Sequence, residues 1–139
     1  MPVESRTIRL STRGFCDVVD ITPEIKSALA GQSLSAGVIT LFVPGSTAGL
    51  TTLEYEPGCV QDLQDALERL VPQSAHYAHN ARWGDGNGFS HIRAALLGPS
   101  LQVPFADREL KLGTWQQVVL VDFDNRPRQR RVVLQFIGE

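Results

Sequence analysis

TWQQVVLVDFDNRPRQRRVVLQFI, residues 114–137, decides the fold of this chain. Two short apolar runs, at 118–123 and 132–137, are rich in valine, the composition of strands buried against a core. Between them lies a polar stretch beginning DNRP. Read locally, TWQQVVLVDF and RVVLQFI form a β-hairpin around DNRP. The four arginines in RPRQRR (126–131) could bind a phosphate or a partner. At a sheet edge they also act against strand-to-strand aggregation, and that structural role is the one expected.

Working outward, LQVPF at 101–105 reads as a strand, with Pro104 favouring an edge or a strand end. AGVITLFVP (36–44) is a buried strand closed by proline, and TAGLTTLEY (47–55) is expected as its antiparallel partner or neighbour. SRTIRLST (5–12) alternates Ile8 and Leu10 with polar residues, the period of a half-buried strand. FCDVVDI (15–21) follows after a turn at Gly14. Helix punctuation marks 22–31: Thr22 as the cap, Pro23 in the first turn and Gly31 as a left-handed stop. From Pro57 to Val71 the period becomes helical, with Val60, Leu63, Ala66, Leu67 and Leu70 on one face. HIRAALLG (91–98) fits either a short helix or a strand. Many strands and about two helices predict an antiparallel-rich α+β or β-sandwich domain.

The 139 residues suffice for one domain, 1–139, with its own core. Thirteen Lys and Arg against fifteen Asp and Glu, with pI near 5.9, argue against nucleic acid as the partner. No apolar run reaches bilayer length, and the first residues lack the apolar region of a signal peptide, so no membrane partner is expected. Cys16 and Cys59 are too few for a disulfide framework and read as small apolar fillers. A reducing, cytoplasmic location follows as the expectation.

Chemistry concentrates at 73–90, QSAHYAHNARWGDGNGFS, a segment too long and irregular for a simple connection. All three histidines, His76, His79 and His91, lie in or beside it, with Trp83, Asp85 and Asn87. His79, Asp85 and His91 supply two imidazoles and a carboxylate, a plausible set for a divalent ion. The alternative is a polar surface loop with His91 capping the next element. In WGDGNGFS the glycines allow positive φ, so backbone N–H groups around Gly86, Asn87 and Gly88 could converge on an anion, assisted by Arg82 or Arg93. A plain turn is the competing reading. GSTAGLTTLEYEPG (45–58) adds hydroxyls and the pair Glu54 and Glu56, either of which could serve as a base or ligand if buried near the histidines. Ser46 has no elbow motif or local base, which argues against a serine nucleophile.

GDGNGFSHIRAALLGPSLQVPF and LGTWQQVVLVDFDNRPRQRRVVLQFIGE closely resemble the C-terminal half of the YjbQ-like family, and the N-terminal and central segments fit it too. The family is widespread and largely uncharacterised, with a secondary thiamine-phosphate-synthase activity often attached to it. The resemblance implies a β-sandwich with jelly-roll character, a homotrimer, and a pocket near a subunit interface for a metal or anion. The matching positions are Glu54, His79, Asp85, Asn87, His91, Trp115 and Gln116. Many members carry histidine where this chain has Gly45 and Phe89, and Asn-Glu-Asn where it has Leu53, Glu54 and Tyr55. Two imidazoles then remain, and a site holding Zn or Mg would lean on Asp85 or Glu54. The functions implied are a synthase-type enzyme using Glu54, Asp85 and His91 on a small phosphorylated metabolite, or a non-catalytic trimer that binds a metal or small anion.

Overall fold

The computed structural model describes residues 2–139. Eight strands and four helices follow in the order β1 (Val3–Thr12), β2 (Asp17–Asp20), α1 (Thr22–Ala30), β3 (Gly37–Phe42), β4 (Ala48–Leu53), α2 (Pro57–Leu70), α3 (Ala78–Trp83), α4 (Gly88–Leu97), β5 (Ser100–Ala106), β6 (Glu109–Leu110), β7 (Gln117–Asp122) and β8 (Arg128–Gly138). Among the described residues they make two antiparallel sheets, ordered β1-β8-β3-β5-β6 and β2-β7-β4. The α+β class expected from sequence is what forms, with four helices rather than two. The sheets curl as a half-barrel instead of stacking as flat sandwich layers. Residues 73–90 supply the extra helices: α3 lies wholly inside that segment, and α4 begins in it.

The hairpin expected around DNRP does not form. β7 is flanked by β2 on one side and β4 on the other, so no slot remains for β8. Residues 123–127 instead turn a corner into the larger sheet, where β8 pairs with β1 along its whole length and with β3 from Val133 onward. The same correction applies to 36–55: β3 and β4 belong to different sheets, because residues 43–47 carry the chain across. Strand period explains both changes. Val118 and Leu120 of β7 face the main core with Val132, Leu134 and Phe136 of β8, while Val119, Val121 and Phe123 face a second core. A strand buried on both faces reads as a continuous apolar run, and such a run does not reveal its neighbours.

The second core is covered by Leu63 and Leu67 of α2 and by Ala94 and Leu97 of α4. Leu70, expected on that face, is exposed. The main core is closed by Ile25 and Leu29 of α1. That helix starts differently from the sequence expectation: the Thr22 N–H donates to Asp20 Oδ1 at 2.9 Å, and the Thr22 hydroxyl accepts from the Val118 N–H at 2.8 Å. Nor is Gly31 left-handed, with φ of −90°. Arg108 holds that end of the helix instead, donating to the carbonyls of Ala30 and Gln32. Cys16 is buried and free, and burial pushes its thiol pKa up to about 11, in keeping with an inert filler.

Candidate functional site

The alternation that builds the main core also ends it in charge. Continuing from Val118 and Leu120, the next residue in phase on β7 is Asp122, with Asp124 just beyond the strand's end; continuing from Leu134 and Val132, the next on β8 is Arg130. All three are almost completely buried. Arg130 makes a bidentate pair with Asp122, Nε to Oδ2 at 2.7 Å and Nη2 to Oδ1 at 2.9 Å. Its Nη2 also donates to Thr47 Oγ1 at 2.6 Å, and the Thr47 hydroxyl donates to Asp124 Oδ2 at 3.1 Å. The Thr12 hydroxyl donates to Asp122 from β1. Buried charges persist in this way when paired and saturated with hydrogen bonds.

Above this network lies a cavity of about 470 Å³. β3 parts from β8 after the Phe42–Val133 pair, while β1 continues along β8 to Arg128. Residues 43–47 swing away to the other sheet, and the gap beside residues 128–131 is the cavity. Arg9, Arg128 and Arg131 line it, together with Gly45, Asn87 and His91. The arginine run therefore does not guard an exposed edge, as its sequence position suggests. Arg130 is buried in the network, Arg128 pairs with Asp124 at 3.2 Å, and Arg131 lies directly opposite Arg9 in the β1–β8 register.

His91 reaches the cavity from α4, and its position depends on a close approach beneath it. At Gly88 the Tyr77 Cβ and Asn80 Oδ1 would stand 2.6 and 2.9 Å from any added Cβ, so only glycine lets α4 start against α3. The Gly88 N–H donates to Asn80 Oδ1 at 2.8 Å. Asn87 precedes it and donates from Nδ2 to Asp124 Oδ1 at 3.2 Å. Burial, and then the facing His79 imidazole, holds the His91 pKa below its ordinary value, outweighing the opposite pull of Asp124 and Asp85. At neutral pH His91 is therefore an uncharged imidazole. Burial works to raise the pKa of Asp124, but hydrogen bonds from Asn125, Asn87 and Thr47 and the Arg128 charge outweigh it, and the net shift is downward.

Three of the residues singled out from sequence do meet. The His79 and His91 rings lie 4.4 Å apart, and His79 Nδ1 is 3.5 Å from Asp85 Oδ1. Among the described residues, no group of three His, Cys, Asp or Glu side chains is placed to hold an ion. His79 Nδ1 is buried without a hydrogen bond, and Asp85 is exposed, its carbonyl held by Asn125 Nδ2 at 2.8 Å. Gly86 takes a positive φ of 71° within this turn. Arg93 does not reach the cavity. Its guanidinium donates to the Val71 carbonyl at 3.0 Å and to Glu68 at 2.6 Å, and it stacks over Phe89, so it ties α4 to the end of α2. Phe89 is fully buried, a packing position here. Arg82 lies over the exposed Trp83, and His76 is exposed.

Glu54, Trp115 and Gln116 sit at the opposite end of the smaller sheet. β4 and β7 run antiparallel, so the ends that carry Ala48 and Asp122 meet at the cavity, while Leu53 and Gln117 meet at the far end. There Gln116 Nε2 donates to Thr52 Oγ1 at 3.1 Å, and Glu54 is exposed. Glu56 is the N-cap of α2, accepting the N–H groups of Gly58 and Cys59 at 2.7 Å each. Those two bonds lower its pKa.

What sequence reading missed is the network that Asp122 and Asp124 make with Arg130, read only as one of a basic run, and with Thr47, read only as a hydroxyl. Its trace is in the quoted stretch: an apolar strand ending D-x-D, then arginine at the start of the next apolar run, all in phase with the core positions.

No helix among the described residues is long and apolar enough to cross a membrane. The chain is 34% identical over 139 residues to a UPF0047 protein of Methanothermobacter thermautotrophicus, covering all of this chain and 95% of that one. It is 36% identical over 120 residues to a UPF0047 protein of Mycobacterium bovis, covering 86% and 91%. The crystal structure of a YbjQ-like protein of unknown function from Sulfolobus solfataricus matches with a TM-score of 0.94 at 28% identity, over 99% of each chain. A conserved hypothetical protein of Thermus thermophilus matches at 0.77 and 35%, over 94% of this chain and 99% of that one. The family model for UPF0047 protein YjbQ-like matches residues 6–139, and with these relatives it shows that the chain belongs to that family.

Proposed function

We propose that the cavity binds a small phosphorylated metabolite, with His91 beside it as a neutral acid–base group. One observation carries this reading: Arg9 and Arg131 are directly opposed across β1 and β8 at the cavity, and neither has a carboxylate partner among the described residues. Like charges directly opposite each other destabilise a sheet, and an anion seated between them relieves the repulsion. Arg128 adds a third cation. Guanidinium groups match phosphate oxygens in geometry as well as charge.

The synthase chemistry suggested by the resemblance displaces pyrophosphate and asks for a divalent ion to neutralise the leaving group. His79, Asp85 and His91 do not converge as donors for such an ion, so no step is routed through one. Binding of a phosphoryl group, with His91 able to accept a proton from a nearby hydroxyl or water, is the function the residues support.

Calorimetric titration with inorganic phosphate tests it. The native chain is expected to bind, and Arg9→Ala with Arg131→Ala to weaken binding at least about tenfold, the scale of lost hydrogen bonds to charged groups. Absence of phosphate binding by the native chain overturns the reading.

A further inference from the structure

Resting on that reading, we propose that Arg130 is the innermost phosphoryl anchor, that Gly45 keeps it open, and that the ligand is a phosphomonoester dianion. The argument begins with a count of donors. A guanidinium has five N–H groups. In Arg130, Nε and Nη2 use three of them on Asp122 and Thr47, and no hydrogen bond within the described residues uses Nη1. The residue is only 6% exposed, so its two remaining donors are fixed in place by the buried pair and have one direction left, toward the cavity it lines.

Gly45 stands in that direction. An added Cβ there would lie 3.0 Å from Arg130 Nη1, and φ at this position is +149°, a value side chains rarely adopt. Glycine therefore leaves the floor of the cavity uncovered, with a charged nitrogen showing through it.

The ligand class follows from number and placement. Arg9, Arg128, Arg130 and Arg131 line the cavity; Asp122 pairs with Arg130 and Asp124 with Arg128. Two positive charges are left unbalanced, and His91 adds none while it is neutral. A planar carboxylate offers two oxygens and one charge, which a single arginine fork satisfies. A terminal phosphoryl group offers three oxygens and up to two charges, which suits donors at the floor and on the rim. A phosphodiester has one charge and an extra substituent, which would meet Arg130 or the rim arginines instead of an oxygen.

Titrations at pH 8 with methyl phosphate, dimethyl phosphate and acetate, on native protein and on Gly45→Ala, test the proposal. Methyl phosphate is expected to bind at least about tenfold more tightly than the other two. Gly45→Ala is expected to lose about tenfold for methyl phosphate. Because that variant strains the backbone, a second readout uses the native chain: the side-chain nitrogen resonances of Arg130, assigned by loss in Arg130→Lys, should shift on adding methyl phosphate. If they stay fixed while the Arg9 and Arg131 resonances move, the anchor is overturned and the anion cavity stands. Equal affinity for dimethyl phosphate or acetate overturns the ligand class. If none of the three binds the native chain, the reading of the cavity itself fails.

Discussion

The two ends of strands β4 and β7 are built from similar residue types and do opposite things. At the Asp122 end, two aspartates, a threonine and an arginine are buried and bonded to one another beneath a cavity. At the Gln117 end, Gln116 and Gln117 also bond to neighbouring chain, through Thr52 and the Tyr55 N–H, yet Trp115 is 74% exposed. The difference lies in what closes each end. The far end is finished by turns in solvent, where hydrogen bonds compete with water and are worth little. The cavity end is finished by two crossovers between sheets, at 43–47 and 123–127, which bury the charges and leave them one opening, the cavity. Polar residues become a site through the enclosure around them, and enclosure is a property of topology.

The largest effect expected tests that enclosure. Asp122→Ala removes the bidentate partner of Arg130 and leaves a guanidinium buried beside a void. Breaking a buried pair from one side costs about 3–5 kcal/mol. Urea unfolding is expected to show a loss of that size. A loss under about 1 kcal/mol would place the pair with exposed ion pairs and erase the contrast between the two ends.

The same contrast explains what the sequence makes legible. Every strand except the two-residue β6 leaves a local trace, because period and β-branched composition are set by neighbours one and two residues away. Partners leave none. VVLVDF is buried on both faces, so nothing in it distinguishes pairing with β8 from pairing with β2 and β4. The candidate site divides in the same manner. His79, Asp85 and His91 are close in sequence and were found together. Asp122 and Arg130 look like the ends of a hairpin turn until the corner at 123–127 puts them on facing sheets. The glycines of WGDGNG suggest an anion nest by type alone; that the Gly88 N–H goes to Asn80 and that Asn125 holds the Asp85 carbonyl depends on residues the segment does not contain.

A smaller effect concerns pH and separates His91 from the aspartates beneath it. The unfolded chain takes up the His91 proton near pH 6.5, and the folded chain only at lower pH. Within that window the unfolded state binds more protons, so stability falls as pH drops below about 6.5 and is level above it. Asp124 acts in a separate, more acidic window: its carboxyl is held ionised in the fold, so its contribution is lost as pH falls through its lowered pKa. His79, Asp85 and Asp124 all face His91, and only the His91 component should vanish in His91→Asn. Unfolding midpoints measured from pH 7.5 to 5 are expected to slope in the native chain and to flatten in the variant. An unchanged slope would mean that His91 titrates as if it were at the exposed end.

The smallest effect is the sharpest comparison of all, because it sets two glutamates two residues apart against each other. Glu54 is an exposed side chain at the far end of β4, and Glu56 accepts two N–H groups at the start of α2. Sequence gives them equal standing as bases or ligands. If position in the fold decides, Glu54→Gln leaves stability within about 0.5 kcal/mol of native, as surface substitutions do. Its phosphate affinity also stays unchanged in the titration used for the cavity. Glu56→Ala, in contrast, lowers the melting temperature by removing the helix cap, and it too leaves phosphate binding alone. A loss of phosphate affinity in Glu54→Gln would bring the far end into the site, which the run of β4 away from Arg130 does not allow.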